Sequence, residues 1–480
     1  MWITRRHIPP EVHGTCGSES PFCRLLVIGL MLELIGGSSS AVAQNPADGS
    51  SPRRALQEFR LPDDRPPLSD AMLADAGLRQ IRSRRLILVT DAADETVAAL
   101  PPFADALFDA LEANLGGLRP ARDGADFQLT GFLVGNKERF EAAGLLPPQG
   151  FEFRHGRNLG YRFWLNDQTS DYYRRHLLLH EFVHCFMMCE FGMTDIPPLW
   201  YTEGIAEYFA THRMADPISK TQFGICPDSM TGFEGWGRIK VLHNELTARQ
   251  ESHILTSPTA GLREIRFPAD NAFLADTKYA QAWALVWLIR THPGLRTHFQ
   301  PLAMARSRQQ FADAESQATD AVWNEVSVIW PLVVDSLIEG FDVERSFPLV
   351  TTTVASRPNS SEGWSVEVRA DREWQDAGIV LAEGDQITVS CRGRYVVHDQ
   401  PTDWESEPQG ITIDYFRGRP LGEMTGMLVS ADGQTSSLRI PIGTGRTLTA
   451  PFAGKLWLQI NDSAASRADN RGTAQVRIQP

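Results

Sequence analysis

The spacing of hydrophobic residues predicts a mixed α and β region followed by a region of strands alone. Residues 85–91 (RLILVTD) form a short apolar run that ends in a turn signal, which is typical of a strand. Residues 95–117 (ETVAALPPFADALFDALEANLGG) place apolar side chains at helical spacing and close on two glycines, which predicts a helix. Residues 126–135 predict a second strand, and residues 137–143 predict a short helix.

A long buried helix follows these elements. Residues 160–167 (GYRFWLND) are a third candidate strand. Residues 170–192 (SDYYRRHLLLHEFVHCFMMCEFG) begin with Ser-Asp as a cap and end on glycine. This stretch is apolar on most faces, which indicates a helix buried inside the protein. Helical patterns then dominate to about residue 343.

The hydrophobic spacing changes after a polar segment. Residues 344–361 are rich in Pro, Ser and Thr and indicate a linker. From residue 362 onward, alternating strands are separated by Gly and Asp turns, which is typical of an all-β sandwich. Residues 44–80, rich in Pro, Asp and Arg, are interpreted as an extended lead-in. The predicted fold class is therefore α+β, with a mainly helical domain and a small N-terminal sheet over 81–343, then the sandwich over 362–480.

Composition and charge exclude several function classes. The chain has 480 residues, enough for about three domains. Hydrophobic residues make up 42% and charged residues 22%, which is ordinary for a soluble globular protein. The net charge is −13 and no basic stripe is present, so neither nucleic acid nor an anionic membrane is an expected partner.

The N-terminus predicts export. Three arginines precede the apolar run of residues 25–37, and the Ala-Val-Ala of residues 41–43 fits the pattern that signal peptidase recognises. We therefore expect residues 1–43 to be a signal peptide and the mature protein to be periplasmic or secreted. The apolar run is too short to serve as a transmembrane anchor.

Four cysteines remain after a cut at residue 43, namely Cys185, Cys189, Cys226 and Cys391. Four are too few for a disulfide scaffold. One disulfide that joins Cys185 or Cys189 to Cys226, and a set of free buried thiols, are equally compatible with the sequence.

The stretch HEFVH at residues 180–184 has the spacing of a metal site on a helix. His180 and His184 are one turn apart and project from the same face, where two imidazoles can bind one Zn²⁺. Glu181 lies beside that face, where it can take the proton of a zinc-bound water that attacks a carbonyl. Glu203 follows His184 after 18 residues, on a second apolar helix, and offers a third ligand. A chance match inside an ordinary buried helix is the competing interpretation.

This arrangement resembles the gluzincin metallopeptidases, whose second helix begins W-x-x-E-G-x-A, as it does here. The resemblance implies a zincin-like catalytic domain with zinc held by His180, His184 and Glu203. It implies Glu181 as the general base. It also implies that Glu207, one turn after the third ligand, holds a histidine ligand by its outer N–H. A solvent-exposed charge on the helix is the alternative interpretation of Glu207.

The resemblance to gluzincins also points to a donor for the oxyanion. The competing metzincin pattern requires a glycine where Met187 stands, so it does not apply. Gluzincins often supply a tyrosine or histidine from a later helix, which indicates Tyr279 at the start of KYAQAWALVWLIRTH. A packed core aromatic is the alternative interpretation of Tyr279. Weaker candidates are Tyr201, Tyr208 and residues 236–238.

A second cluster of oxygen donors occurs near the C-terminus. Asp462, Asp469 and Asn470 lie on one loop between two predicted strands and are the hard ligands that Ca²⁺ prefers. Residues 364–478 resemble the calcium-dependent galactose-binding lectin of bacteria, a small jelly-roll sandwich, which implies Ca²⁺ and a glycan at this domain. The histidine and glutamine with which the lectin holds its sugar have no counterpart here. A hairpin turn is the alternative interpretation of residues 469–472.

Together these features predict an exported zinc-dependent peptidase that acts on protein or glycoprotein substrates. The rival hypothesis is a catalytically inactive gluzincin scaffold that binds carbohydrate or protein. The presence of Glu181 favours catalysis, because degenerate scaffolds tend to lose the base or a ligand.

Overall fold

The structure, a computed structural model, describes residues 59–149, 153–231, 237–251, 261–267, 275–349 and 363–480, and in the helix at 238–251 it describes side chains through Asn244. The predicted signal peptide (1–43) and residues 350–361 of the predicted linker lie outside these ranges. Residues Gln57–Pro480 belong to one compact unit. We call residues 59–349 the N-terminal region and residues 363–480 the C-terminal region.

All α-helices of the described residues lie in the N-terminal region. They are α1 (Asp70–Asp75), α2 (Leu100–Leu115), α3 (Lys137–Ala142), α4 (Asp171–Phe191), α5 (Leu199–Ala210), α6 (Arg238–Glu251), α7 (Leu262–Arg266), α8 (Asp276–Thr291), α9 (Arg296–Met304), α10 (Arg308–Gln317) and α11 (Asp320–Ser336). No helix in the described parts of the chain combines the length and the apolar character needed to cross a membrane.

The N-terminal region also contains a five-stranded mixed sheet. Its strands are β1 (Arg79–Arg82), β2 (Leu86–Thr90), β3 (Leu129–Val134), β4 (Gly156–Leu159) and β5 (Arg162–Asn166), in the order β1-β2-β3-β5-β4. Strands β2, β3 and β5 are parallel, whereas β1 and β4 are antiparallel to their neighbours. A separate two-stranded pair is formed by β6 (His212–Arg213) and β7 (Gln222–Phe223).

Part of residues 44–80, predicted as an extended lead-in, is regular structure, although residues 59–69 carry no helix or strand. Helix α1 and the start of β1 lie inside that range. Leu73 of α1 and Leu78 are buried, at 1% and 5% exposure, in a small apolar cluster with Phe132 and Trp164. The burial of these two leucines stabilises the folded segment. The many polar residues around them made this difficult to predict from the sequence.

Helix α4 follows the sequence prediction closely. The Ser170 hydroxyl accepts a hydrogen bond from the backbone N–H of Tyr173 at 3.1 Å, which caps the first turn. Gly192, with φ of 84°, ends the helix in a conformation that other residues adopt at a cost. Between these ends α4 packs against the sheet on one side and against α2 and α5 on the others. Leu178, Phe182 and Cys185 are fully buried in the main core as a result.

The C-terminal region is built from two sheets that face each other. Its strands are β8 (Trp364–Arg369), β9 (Gln375–Leu381), β10 (Gln386–Arg392), β11 (Tyr395–Val396), β12 (Glu405–Ser406), β13 (Gln409–Phe416), β14 (Arg419–Val429), β15 (Ile440–Pro441), β16 (Gly445–Thr449), β17 (Gly454–Ile460) and β18 (Arg471–Gln479). The first sheet has the order β12-β11-β18-β10-β16, with β8 paired to β18. The second has the order β13-β14-β17-β9, with β15 paired to β14. The overall architecture is therefore α+β, with the strands-only part at the C-terminus.

The two sheets differ in how their outer faces are covered. Strand β10 alternates regularly between exposed and buried residues, as expected of a sheet with one face in solvent. Strand β14 is instead buried at almost every position. Its even-numbered residues Met424 and Leu428 face the core between the sheets, and Met427 and Val429 belong to a second apolar cluster with Leu332 of α11. Both faces of the second sheet are thus packed at β14, whereas its edge strand β13 is mostly exposed.

All four cysteines of the described residues are free. Cys185, Cys189 and Cys391 are buried, and Cys226 is partly buried. The prediction of a disulfide from Cys185 or Cys189 to Cys226 is therefore wrong, and the interpretation as free buried thiols is correct. Burial raises the pKa of Cys226 to about 12, so this thiol stays protonated at neutral pH.

Candidate metal centre

Two packed helices carry the predicted zinc ligands. His180 and His184 project from one face of α4, and Glu203 lies in α5, which packs against α4. Gly204, the next residue of α5, lies against α8, where an added Cβ would approach the carbonyl oxygen of Ala282 to 2.6 Å. A side chain at this position would force α5 and α8 apart. The glycine therefore allows the close packing that positions Glu203.

Three ligand atoms converge at this helix crossing. His184 Nε2 lies 3.0 Å from His180 Nε2 and 3.1 Å from Glu203 Oε2. His180 Nε2 lies 3.5 Å from the same Glu203 oxygen. A tetrahedral zinc with bonds of about 2.0–2.1 Å separates its ligand atoms by about 3.3 Å, so these residues fit the ion. The side chains are 9–15% exposed, so the crossing is largely buried.

The charges at the crossing favour the ligating form of the glutamate. Burial acts to raise the pKa of Glu203, but His184 and His180 outweigh it and hold the pKa well below its usual range. Burial acts to lower the pKa of His180, but hydrogen bonds with Glu203 and Glu207 outweigh it and raise the pKa to about 10. Protons therefore compete with a metal ion for His180.

Glu207 lies directly behind the ligands. It is 2% exposed, and its Oε1 is 3.2 Å from His180 Nδ1, the ring nitrogen that faces away from the crossing. Its Oε2 is 3.1 Å from His176 Nε2. The alternative interpretation of Glu207 as a solvent-exposed helix charge is therefore wrong. Its contacts are those by which a carboxylate fixes the orientation of an imidazole ligand.

His176, His180 and Glu207 form a second group whose atoms are close enough to hold a metal. Arg238, at the start of α6, contacts both oxygens of Glu207, with Nη2–Oε1 of 2.5 Å and Nε–Oε2 of 2.7 Å. This guanidinium already supplies the positive charge that the carboxylate needs, and it would repel a cation placed beside it. The geometry therefore favours the crossing of His180, His184 and Glu203 as the metal position.

Two members of this network were missed from the sequence. His176 lies one helical turn before His180, and this second i, i+4 spacing was a usable signal. Arg238 comes from a helix 31 residues after its partner Glu207, and no local pattern connects the two. It lies in the 236–238 stretch that was considered for the oxyanion, whereas Trp236 is outside the described residues.

The predicted general base is buried beside the crossing. Glu181 is 5% exposed, and its Oε2 has no hydrogen-bond partner among the described residues. Burial raises the pKa of this carboxyl above its usual range. Gly156 of the edge strand β4 lies so close that an added Cβ would collide with the Glu181 carboxylate. The site thus holds a carboxyl group of raised basicity between α4 and the sheet edge.

Tyr279, the predicted oxyanion donor, lies in the first turn of α8 at the same site. Its ring centroid is 6.3 Å from that of His180, and the Arg238 guanidinium lies 5.4 Å from the ring centroid of Tyr279. Burial raises the pKa of the phenol, which keeps its proton available for donation at neutral pH. Tyr201 instead packs against Phe311 in the core, at 4% exposure, which argues against it as a donor.

Of the predicted calcium ligands, the structure brings Asn470 and Asp462 into contact, whereas Asp469 pairs with a histidine. Asn470 Nδ2 donates to Asp462 Oδ2 at 2.7 Å, and Asp469 Oδ2 lies 2.9 Å from His398 Nδ1. The buried Oδ1 atoms of Asp469 and Asn470 have no hydrogen-bond partner among the described residues. Burial raises the pKa of Asp462. Unpaired buried oxygens of this kind suit a hard cation such as Ca²⁺.

The interpretation of residues 469–472 as a hairpin turn is wrong. Strands β17 and β18, which this segment connects, belong to different sheets and do not pair. The connection is therefore a loop that crosses from one sheet to the other.

No protein-family model matches the chain, and no curated protein matches it. A solved structure described as the EclA N-terminal domain, a PllA-like lectin, is 24% identical, covers 25% of this chain and 98% of its own, and has a TM-score of 0.20. IMPa from Pseudomonas aeruginosa in complex with an O-glycopeptide is 12% identical, covers 50% of this chain and 23% of its own, and has a TM-score of 0.17.

A second structure, of the IMPa metallopeptidase in complex with T-antigen, is 11% identical, covers 82% of this chain and 42% of its own, and has a TM-score of 0.16. The chain therefore spans less than half the length of IMPa. Because all these TM-scores are low, the function must be inferred from the residues of this chain. Those residues define a candidate metal centre of two histidines and a glutamate in an α+β protein.

Proposed function

We propose that the protein is an exported zinc-dependent peptidase of the gluzincin type that hydrolyses peptide bonds in protein or glycoprotein substrates. The observation that carries the proposal is the convergence of three ligand atoms, His180 Nε2, His184 Nε2 and Glu203 Oε2, within 3.5 Å of one another. Buried Glu181 lies next to them in the chain and beside them in space. This donor set is one that catalytic zinc uses, with three protein ligands and a position left for water or substrate.

Each residue of the site has a role that its surroundings support. Bound zinc would supply a Lewis acid that polarises the substrate carbonyl and activates water. Glu181 accepts the proton of the attacking water, for which its raised pKa is suited, and passes it to the leaving amine. The Tyr279 phenol donates a hydrogen bond to the oxyanion that forms on the former carbonyl oxygen. Glu207 keeps the His180 ring in the orientation that presents Nε2.

The proposal extends to the organisation of the chain. Residues 1–43 would be the signal peptide, residues 81–343 a zincin-like domain, residues 344–361 a linker, and residues 362–480 a jelly-roll domain. The unpartnered Oδ1 atoms on the loop of Asp462, Asp469 and Asn470 support Ca²⁺ as a second ion in the last domain. A glycan of the substrate would bind at that domain.

The rival proposal is an inactive scaffold of the same fold that binds carbohydrate or protein. A scaffold would have no need to keep a carboxylate buried without a partner, because an unsatisfied buried polar atom costs about 1–3 kcal/mol. Glu181 Oε2 is such an atom. Its retention favours catalysis.

The metal content of purified residues 44–480 tests the proposal without any guess about the substrate. We expect about one zinc per chain after dialysis, and its loss in Glu203→Ala. Glu325→Ala, which removes an exposed glutamate of α11, is the matched control and keeps the metal. A folded wild-type protein that takes up no zinc on reconstitution would rule out the peptidase. A zinc-loaded protein in which Glu181→Gln cleaves a substrate as fast as the wild type would rule out the base.

A further inference from the structure

The outer face of the second C-terminal sheet is covered by α11. Met427 and Val429 of β14 and Trp457 of β17 are at most 1% exposed. They form one apolar cluster with Leu332 of α11 and with Trp374, which directly precedes β9. An apolar face of this size would otherwise be open to solvent. Burial of these large apolar side chains stabilises the contact between α11 and the sheet.

Charged groups reinforce the same contact. Asp335, near the end of α11, is 3% exposed and is held by Arg439 at 2.6 Å and by Arg417 at 3.2 Å, both from the C-terminal region. Trp374 Nε1 donates to the same carboxylate at 3.3 Å. A buried carboxylate without these partners is strongly unfavourable, so separation of the two regions is opposed by electrostatics as well as by apolar burial.

The loop that carries the candidate calcium ligands takes part in this contact. Ala464 is 1% exposed and lies in the core that the N-terminal helices build. Its carbonyl oxygen accepts hydrogen bonds from the backbone N–H of Asp342 at 3.0 Å and from the Ser346 hydroxyl at 2.8 Å. One side of loop 462–470 is thus part of the N-terminal region's interior.

Arg467 of the same loop connects it to the end of α11. Its side chain is fully buried and donates to the carbonyl oxygen of Asp462 at 3.2 Å, which fixes the loop backbone. Its Nε also contacts Glu373. Glu373 Oε1 in turn accepts a hydrogen bond from the hydroxyl of Ser336, the last residue of α11, at 2.8 Å. A continuous set of buried polar contacts therefore runs from the loop to the N-terminal region.

The other side of the loop carries unsatisfied oxygens. Asn470 is 5% exposed, its Nδ2 donates to Asp462, and its Oδ1 has no partner among the described residues. The Oδ1 of Asp469 is also buried and has no hydrogen-bond partner among the described residues. A hard cation held by Asp462, Asp469 and Asn470 would remove this cost and fix the loop in its folded shape.

We infer that loop 462–470 couples cation binding in the C-terminal region to the stability of the N-terminal region that carries the zinc site. The inference rests on the calcium part of the proposed function. A ligand that binds only the folded loop stabilises everything that unfolds together with it. The buried contacts of Ala464 and Arg467 make the N-terminal helices part of that cooperative unit.

Hydrogen exchange measured peptide by peptide tests the coupling. The zinc-loaded chain of residues 44–480 is compared with and without Ca²⁺, and Ca²⁺ binding itself is measured by equilibrium dialysis. At a Ca²⁺ concentration 100 times the dissociation constant, we expect the slowest amides of α11 and of residues 337–346 to exchange about 100-fold more slowly. We expect Arg467→Met to lose this effect while its loop peptides still respond to the ion. Arg471→Gln, which removes an exposed arginine paired with Asp403, should behave as the wild type.

If Arg467→Met fails to fold, hydrogen exchange of the wild type with and without Ca²⁺ still tests the coupling. Calcium that binds and slows exchange only within residues 363–480 would overturn the coupling and leave the calcium site intact. A protein that binds no Ca²⁺ would overturn both the coupling and the calcium part of the proposed function. The zinc content of the same sample reports separately on the proposed peptidase.

Discussion

Arg238 and Glu207 form a two-point contact in which Nη2 and Nε of the guanidinium meet the two carboxylate oxygens at 2.5 and 2.7 Å. Burial acts to raise the pKa of Glu207, but Arg238 outweighs it and holds the pKa well below its usual range. The carboxylate is therefore ionised and fixed in one orientation, with Oε1 facing His180 Nδ1. A remote arginine thus determines how a proposed metal ligand is presented.

Replacement of this arginine should weaken zinc binding. In Arg238→Gln, Glu207 loses its fixed orientation, and we expect the affinity for zinc to fall about 10- to 100-fold. Competition with a chromogenic chelator measures the change. Arg266→Gln is the matched control, because Arg266 forms a comparable pair with Glu315 at 2.7 Å outside the site. Equal zinc affinity in wild type and Arg238→Gln would show that the contact does not serve the metal.

Gly156 of β4 gives a test of the base that leaves the ligands untouched. A Cβ at this position collides with the Glu181 carboxylate, so Gly156→Ala should displace it and reduce kcat about 100-fold. The zinc content should stay at the wild-type level, because no ligand moves. Gly117→Ala, at a position with room for a Cβ, serves as the control. Full activity in Gly156→Ala would mean that the carboxylate position is not critical.

Tyr279 can be tested by removal of its hydroxyl alone. Tyr279→Phe keeps the ring beside His180 and Arg238 but removes the proposed donor, and we expect kcat to fall about 100- to 1000-fold with little change in KM. Tyr201→Phe, in the core, should leave kcat unchanged. Kinetics on any substrate that the wild type cleaves would suffice. An unchanged kcat would return Tyr279 to the role of a packed aromatic.

The contact between the two regions should make stability depend on pH in a defined direction. Burial acts to raise the pKa of Asp335, but Arg439 and Arg417 outweigh it and lower the pKa below its usual value of 3.8. Its stabilising contribution is therefore complete above about pH 4 and is lost as the pH falls through the lowered folded-state pKa. We expect Asp335→Asn to reduce the free energy of unfolding by about 3 kcal/mol at pH 7.

The difference between wild type and Asp335→Asn should shrink toward zero as the pH falls below 4. Urea unfolding at a series of pH values measures it, with Asp313→Asn, at an exposed position of α10, as the control. A constant difference from pH 7 to pH 3 would show that the charge of Asp335 does not contribute.

The parts of the molecule that could be predicted are those set by local spacing. His180 and His184 share a helix face because they are one turn apart, and Ser170 and Gly192 mark the ends of that helix. Strand β4 was missed because it is a short edge strand without regular apolar alternation. The contact of Arg238 with Glu207 joins two helices distant in sequence, and hydrophobic spacing carries no information about such a pair.

The second C-terminal sheet shows a further limit of the sequence. Strand β14 was not identified from the sequence, and a run that is buried on both faces does not reveal what covers each face. Only the positions of Met427 and Val429 against Leu332 show that α11 covers the outer one.

The covering of that sheet by α11 has a consequence for the choice of substrate. A domain on a free tether would raise the local concentration of any glycosylated chain, whatever the distance from its sugar to the bond that is cut. If the C-terminal region binds a glycan, as proposed, its attachment to α11 through Asp335 and an apolar face would hold that glycan at a fixed distance from the proposed zinc site. A substrate would then be selected by the number of residues between its modified side chain and the scissile bond.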